Sequence, residues 1–324
     1  MKIKDITNLL ESFAPLSYQE NYDNCGLLIG NKNEQITGVL LCTDIIIDVL
    51  KEAKEKKCNL VIAHHPLIFK PLKKINLGNE IDDAIVFAIK NDIAIYAAHT
   101  NFDKVKNGVS YKMAEKLNLQ NIECLAPANT GLHKFICYVP ETHANALREA
   151  MFEGGGGHIG NYDKCSYNLS GFGTYRAGQD TNPFLGEIGK MHTEPETRIE
   201  TIIHESRLSN LIQKVIEVHP YEEPAYDIIP LANTDFSAGL GVIGSFKEAI
   251  SYQNLIETVK NAFECEIIKA SKQYPEKFKT IALCGGSGSS LIPVARAKKA
   301  DVLITADISY HNFFMANKQF ALLD

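Results

Sequence analysis

The fold is decided by residues 36–66, "ITGVLLCTDIIIDVLKEAKEKKCNLVIAHHP". A short apolar run, "VLLC", is followed by the helical period "DIIIDVLKEAKEKK" and then by a second apolar run, "NLVIA". Strands that alternate with helical segments in this way are typical of βαβ units, whose strands are parallel. The stretch therefore predicts a parallel sheet covered by helices.

The same alternation continues along the chain after this stretch. It continues to about residue 129 and resumes after residue 232, where "CEIIKA" (265–270), "TIALC" and "DVLITA" are predicted as further strands. Residues 130–231 instead follow the order βαββαβ, which is typical of the split-βαβ, ferredoxin-like unit. We predict an α/β fold of mostly parallel sheets in a discontinuous domain, 1–129 plus 232–324, interrupted by an inserted ferredoxin-like α+β domain at 130–231.

Composition narrows the class of protein. The 324 residues are 45% hydrophobic, which is ample for a packed core, and 33 Lys and Arg against 39 Asp and Glu give a net charge of −6. No basic surface is evident, so nucleic acid is not expected as the main partner. Eight cysteines without a C-x-x-C pair fit buried thiols in a reducing compartment. No apolar run approaches the roughly 20 residues of a membrane span, and a cytoplasmic protein is the expectation.

Polar residues capable of binding a metal stand where the predicted strands end. Ligands in open α/β sheets collect beyond the carboxyl ends of the strands, and neutral imidazole and carboxylate are standard ligands of Zn²⁺, Mn²⁺ or Fe²⁺. We therefore predict a metal site at this edge. The residues at the strand ends are Asp44, His64, His65, His99, Asp103, Asp307 and His311.

The adjacent pair His64 and His65 is the sharpest of these signals. Two imidazoles at the end of a buried strand cost desolvation unless each has a partner, and Pro66 favours an extended, divergent arrangement. Divergent rings suit two ions, which lie roughly 3.5–4 Å apart in two-metal sites, with Asp103 as the candidate bridge. A lone strand-end histidine such as His311 more commonly makes an ordinary hydrogen bond.

A glycine-rich segment, "GGSGSS" (285–290), leads from a predicted strand into a helix. Free backbone N–H groups at a helix start favour anions, but the segment is neither a Walker A loop nor a complete dinucleotide fingerprint. A tight turn beside the metal cleft is an equal alternative. In the insert, His158 and His219 stand among Gly and Pro residues and favour a structural or interface role.

Several motifs resemble one family. "YDNCGLLIG", "AHHPLIF", "HTNFD", "GGSG" and "ADISYH" occur in the order of the GTP cyclohydrolase I type 2 homologues, the NIF-three-like family, and "HPYEEPAYDI" resembles the insert of its long bacterial members. The resemblance implies a dinuclear metal site and a ring-shaped homohexamer. Residue by residue, it implies His64, His65 and Asp103 as metal ligands and His99 and His311 as neighbours of the metals.

The sequence departs from the family pattern in two places. Tyr22 stands where the family usually has Trp in a W-D-N motif, which predicts a change of packing. The last two family ligands occupy a G-H-x-x-x-E segment after the strand that here reads "FALLD", and this sequence stops at Asp324. We expect a C-terminal segment with those ligands to be missing from it.

Three functions are consistent with these observations. The first is a metal-dependent hydrolase that acts on a nucleotide or related small molecule, with two divalent ions (Zn, Mn or Fe) and with His99 or His311 as proton shuttle. The second is a non-enzymatic metal-handling or metal-sensing oligomer. The third is an oligomer whose metals only stabilise the fold.

Overall fold

The computed structural model describes residues 1–128, 131–233 and 235–324 of the chain. Contacts divide it into two compact units, Met1–Ala128 with Phe236–Asp324, and Asn129–Asp235. The predicted boundary between residues 129 and 130 lies outside the described residues. None of the helices in the described ranges has the length and apolar character that a membrane crossing requires.

The first sheet of the discontinuous unit contains the βαβ stretch. Its strands are β1 (Gly26–Ile29), β2 (Val39–Cys42), β3 (Leu60–Ala63) and β4 (Ala94–Ala97), in the order β1-β4-β3-β2. β2, β3 and β4 are parallel, as predicted, whereas β1 runs antiparallel to β4. The sheet is therefore mixed at its β1 edge.

Helices cover both faces of this sheet. Leu50 and Ala53 of one helix and Ile85 of another pack on Val61 and Ile95, and the N-terminal helix covers the opposite face around Tyr96. The helices in this part of the chain are α1 (Ile3–Phe13), α2 (Ile47–Glu55), α3 (Glu80–Lys90), α4 (Thr100–Lys104) and α5 (Val109–Lys116).

The second sheet of this unit has the strands β5 (Gln120–Ala128), β10 (Asp235–Ile250), β11 (Phe278–Ser287), β12 (Val302–Ala306) and β13 (Ala321–Leu323). Their order is β13-β12-β11-β10-β5. β11, β12 and β13 are parallel, and β10 runs antiparallel to β11. Helices α8 (Tyr252–Phe263) and α9 (Ile292–Ala297) contribute to its apolar clusters.

The strand predicted at residues 265–270 is wrong. Among the described residues of this segment only Ala270 forms a bridge, to Leu323 of β13. Ile267, which would anchor a buried strand, is 80% exposed. The apolar letters in "CEIIKA" therefore indicate a loop that meets the last strand at one end.

The described residues of the Asn129–Asp235 unit form β6 (Leu132–Pro140), α6 (Ala144–Glu153), β7 (Tyr167–Arg176), β8 (Met191–His204), α7 (Glu205–Val218) and β9 (Tyr226–Pro230). The strands make a sheet in the order β7-β8-β6-β9, with every neighbouring pair antiparallel. The two helices pack on it around Phe135, Leu147 and Leu211.

Candidate metal centre

Three imidazoles converge beyond the carboxyl ends of β3 and β4. The rings of His64, His65 and His99, here called the histidine cluster, have centroids 4.9, 5.2 and 5.5 Å apart. One nitrogen of each ring lies within 4.8 Å of the others. The cluster could therefore hold a metal ion.

The ladder of parallel strands places the first two histidines. β3 ends at Ala63, and the chain bends at His64 and His65, whose N–H groups donate to Cys42 O (3.2 Å) and Thr43 O (2.9 Å). Because neither residue belongs to the pleated strand, their rings do not alternate between faces. The prediction of divergent rings is wrong: the two imidazoles converge, with one nitrogen of each ring within 4.8 Å of the other.

The short helix α4 places the third histidine and the aspartate. His99 precedes its first residue, and Asp103 N–H donates to His99 O (3.0 Å), one turn away. Asn101 fixes the entry to this helix, because its Oδ1 accepts from His99 N–H and its Nδ2 donates to Ala14 O. The spacing in "HTNFD" thus brings an imidazole and a carboxylate to one place.

Each imidazole of the cluster is held through its Nδ1. His64 Nδ1 bonds Ala98 O (2.9 Å), His65 Nδ1 bonds Asp44 Oδ1 (2.7 Å) and His99 Nδ1 bonds Asp23 Oδ1 (2.8 Å). A carbonyl or an ionised carboxylate can only accept, so each neutral ring carries its proton on Nδ1 and leaves the Nε2 lone pair free. This is the arrangement that orients metal-binding histidines.

Asp23 is the most constrained of these partners. Its side chain accepts from the His99 ring, Thr100 N–H and hydroxyl, the Cys25 thiol and Asn24 N–H. Burial tends to raise the pKa of Asp23, but these hydrogen bonds outweigh it and hold the pKa well below the ordinary carboxyl range. Asp23 is therefore ionised and fixes both the orientation and the tautomer of His99.

Asp103 has the environment expected of a carboxylate that binds a metal ion. Its Oδ1 is buried and has no hydrogen-bond partner among the described residues, and it lies 3.9 Å from His64 Nε2. Burial raises the pKa of Asp103, although the nearby imidazoles of His64 and His99 partly oppose the shift. A cation beside Oδ1 would compensate for that burial. Three imidazoles and one carboxylate therefore fit Zn²⁺, Mn²⁺ or Fe²⁺.

The other predicted residues differ in their relation to the histidine cluster. His311 is exposed in the 3-10 helix Tyr310–Met315 and is not in the histidine cluster. It follows β12, which belongs to the second sheet, so its strand end differs from that of β3 and β4. Asp44, by contrast, follows β2 in the same sheet and reaches His65.

Backbone groups of the glycine-rich segment already make hydrogen bonds within the protein. Gly285 N–H donates to Ser110 Oγ (3.1 Å), Gly288 N–H donates to Thr305 Oγ1 (2.7 Å), and the Thr305 hydroxyl donates to Gly286 O (2.7 Å). Two of the N–H groups that an anion would need are thus already used. The tight-turn interpretation is the better one.

Two functional partners were missed by sequence reasoning. Asp23 stands in the quoted "YDNCGLLIG" motif, but it precedes His99 by 76 residues, and only the pairing of β1 with β4 brings the two regions together. Phe69 follows His65 closely, and its ring centroid lies 6.3 Å from that of His99. The available signals were an aspartate in "YDNCGLLIG" and the aromatic residue that ends "AHHPLIF".

Comparison with known proteins gives consistent matches over the whole chain. Residues 1–324 match the Duf34/NIF3 (NGG1p interacting factor 3) family. A protein of Halalkalibacterium halodurans named "GTP cyclohydrolase 1 type 2 homolog" is 40% identical over 307 residues, 94% of this chain and 82% of the relative. A Bacillus subtilis protein of the same name is 37% identical, over 95% and 83%. The crystal structure of a Bacillus cereus protein related to NIF3 has a TM-score of 0.84 and 38% identity, and the match covers 100% of this chain and 87% of that one.

Proposed function

Because this chain belongs to the Duf34/NIF3 family, we propose that it binds two divalent metal ions at the histidine cluster and hydrolyses a nucleotide or a related small molecule. One observation carries the proposal. Three imidazoles with occupied Nδ1 atoms converge beside the buried Asp103 Oδ1, which has no hydrogen-bond partner in the described part of the chain.

The proposed ligands are His64, His65 and Asp103. Asp103 is the candidate bridge, since a carboxylate offers an oxygen to each of two ions. When bound, such ions supply positive charge that polarises a scissile bond and activates water. The name of the relatives, GTP cyclohydrolase 1 type 2 homolog, makes GTP the first nucleotide to test.

Between the two predicted proton shuttles, the geometry favours His99 over His311. The Asp23 carboxylate fixes the His99 tautomer, so that Nε2 is the nitrogen able to accept a proton beside the proposed ions. His99 could instead be a third imidazole ligand. The two roles can be separated by replacing His99, because loss of a ligand would lower the metal content and loss of a shuttle would leave it unchanged.

Turnover by the metal-loaded protein tests the proposed activity. We expect GTP or another nucleotide in a panel to be converted by the wild type, and conversion to be lost in the His64→Ala variant together with metal. In His99→Gln, loss of turnover at unchanged metal content would identify a shuttle, and joint loss would identify a ligand. His311→Gln is the matched control. Absence of turnover, or its persistence in His64→Ala, would contradict the proposal.

Metal handling without catalysis is a second candidate, and the exposure of His65 favours it. Its side chain is 49% exposed and that of its partner Asp44 is 66% exposed, so one ligand of the site is open to exchange with solvent. Rapid exchange of bound ⁶⁵Zn, in a protein that converts no nucleotide, would support this function over hydrolysis.

We also propose that the insert, residues 130–231, is a ferredoxin-like domain and that the chain forms a homohexamer. The strand order β7-β8-β6-β9, with one helix between β6 and β7 and another between β8 and β9, supports the first proposal. Exposed apolar side chains between β3 and α3, at Leu72, Ile75 and Leu77, support self-association. Light scattering should give six times the mass of one chain, and a monomer would contradict it.

A further inference from the structure

A line of aromatic rings leads from the histidine cluster to solvent. The Phe69 ring centroid lies 6.3 Å from that of His99, and the Tyr22 ring centroid lies 6.3 Å from that of Phe69 at an interplanar angle of 57°. Phe69 is 41% exposed and Tyr22 is 66% exposed. The change of packing that the sequence predicts for Tyr22 is thus not a core change, because the ring lies largely outside the core.

The backbone beside each ring is tied down. Asn24 Nδ2 donates to Ile68 O (2.6 Å), which joins the segment that carries Tyr22 to the segment that carries Phe69. Asp23, between Tyr22 and Asn24, is turned inward and bound to His99 and Thr100. The consecutive residues 22–24 therefore fix His99, fix the neighbouring loop, and leave one aromatic ring at the surface.

Exposure alone does not distinguish this pair. Tyr310 and Phe314 are also exposed and have ring centroids 5.1 Å apart, but the imidazole beside them is His311, which is not in the cluster. Of these two pairs, Tyr22–Phe69 is the one whose rings continue into the histidine cluster. Phe69 lies beside His99, and the His99 ring is next to that of the proposed ligand His64.

The hydroxyl of Tyr22 adds one polar group to the pair. Partial burial and the negative charges of Glu20, Asp23 and Asp103 raise the pKa of Tyr22, so the phenol is protonated and can donate a hydrogen bond. A planar heterocycle whose ring nitrogens accept from this hydroxyl, such as a purine, suits both the donor and the aromatic rings.

We infer that Tyr22 and Phe69 form a stacking platform for a planar, nitrogen-rich heteroaromatic ring of the substrate, at the mouth of the histidine cluster. Because the two rings are inclined by 57°, the substrate ring would stack on one of them and meet the other edge-on. The inference rests on the proposed function and names the chemical class of its substrate. Stacking on the platform holds the remainder of the ligand toward His99 and the proposed metal ligands.

The chain contains no tryptophan, so Tyr22→Trp provides a single fluorescent reporter at the platform. We expect guanosine monophosphate to quench its emission, and ribose 5-phosphate, which lacks the base, to require at least about tenfold more ligand because the stacking energy is absent. Adding Phe69→Ala should weaken guanosine monophosphate binding by about fivefold to 100-fold. Tyr162→Trp, at a residue 76% exposed in the other unit, is the matched control and should not respond.

The inference is overturned if guanosine monophosphate quenches no better than ribose 5-phosphate, if Phe69→Ala leaves binding unchanged, or if Tyr162→Trp responds equally. Metal content measured on the same samples separates this result from the proposed function. Base-dependent quenching in a protein that binds no metal would retain the platform and reject the metal site. A metal-loaded protein without base-dependent quenching would retain the metal site and reject the platform.

Discussion

At the residue scale, two carboxylates hold two of the imidazoles from opposite environments. The Asp23 side chain is fully buried where it bonds His99, whereas the Asp44 side chain is 66% exposed where it bonds His65. Asp23 also accepts from Thr100 and Asn24. Both acids orient a ring, but only Asp23 is part of the packed structure.

Replacing each acid by asparagine should separate these two roles. We expect Asp44→Asn to weaken metal binding by about 10–100-fold, because His65, a proposed ligand, loses its charged orienting acceptor. Asp23→Asn should weaken it as much only if His99 is a ligand and not a proton shuttle. Only Asp23→Asn should also lower the free energy of unfolding, by about 1–3 kcal/mol, because it disrupts a buried hydrogen-bond network. Zinc titration and thermal unfolding measure the two effects. Equal destabilisation by both variants would contradict this assignment.

The Asp103 carboxylate should lower the stability of the metal-free protein, whereas the Asp23 carboxylate should raise it. Burial raises its pKa, and its Oδ1 lies without a partner within the described residues, so the ionised carboxylate is a cost to the metal-free fold. Asp103→Asn should reduce metal content while leaving the melting temperature of the chelator-treated protein at least as high as that of the wild type. A lower melting temperature in the chelator-treated variant would show that the carboxylate serves the fold instead.

At the element scale, the sequence predicts best where the chain follows βαβ alternation. β2, β3 and β4 and the helices between them were predicted, and the polar residues at their ends meet because parallel strands end at one edge. β1 was missed because only its pairing with β4 identifies the short segment Gly26–Ile29 as a strand. The rings of His64 and His65 were placed wrongly because β3 ends at Ala63, one residue before them.

The loop between β11 and α9 illustrates a feature that no local pattern predicts. Thr305 follows Gly288 by 17 residues, yet its buried hydroxyl satisfies Gly288 N–H and Gly286 O. The sequence left an anion site and a tight turn as equal alternatives, since it does not show where these N–H groups donate. The pairing of β11 with β12 decides between them.

Thr305→Val should therefore destabilise the fold. The substitution keeps the shape but removes the hydroxyl, which leaves the buried Gly288 N–H without its acceptor and costs about 1–3 kcal/mol. Thr305→Ser, which retains the hydroxyl, is the control and should cost less. Urea unfolding of the two variants measures the difference. Equal stability of Thr305→Val and the wild type would mean that the loop does not depend on this contact.

At the scale of the whole molecule, metal binding should be linked to stability, because the histidine cluster draws on β2, β3, β4 and the chain beyond them and would not persist in the unfolded chain. Zinc at 100 times its dissociation constant should raise the free energy of unfolding by about 2.7 kcal/mol for each ion bound. The His64→Ala/His65→Ala double variant should show no such increase. An equal increase in that variant would indicate that zinc binds elsewhere.

The central claim is that the histidine cluster and Asp103 hold metal, and elemental analysis by plasma mass spectrometry tests it most directly. Protein purified without added metal or chelator, and then supplied with Zn²⁺, Mn²⁺ or Fe²⁺ and desalted, should retain two divalent ions per chain. The His64→Ala/His65→Ala double variant, treated identically, should retain none. Wild-type protein without stoichiometric metal after this treatment, or a double variant that retains as much as the wild type, would contradict the account.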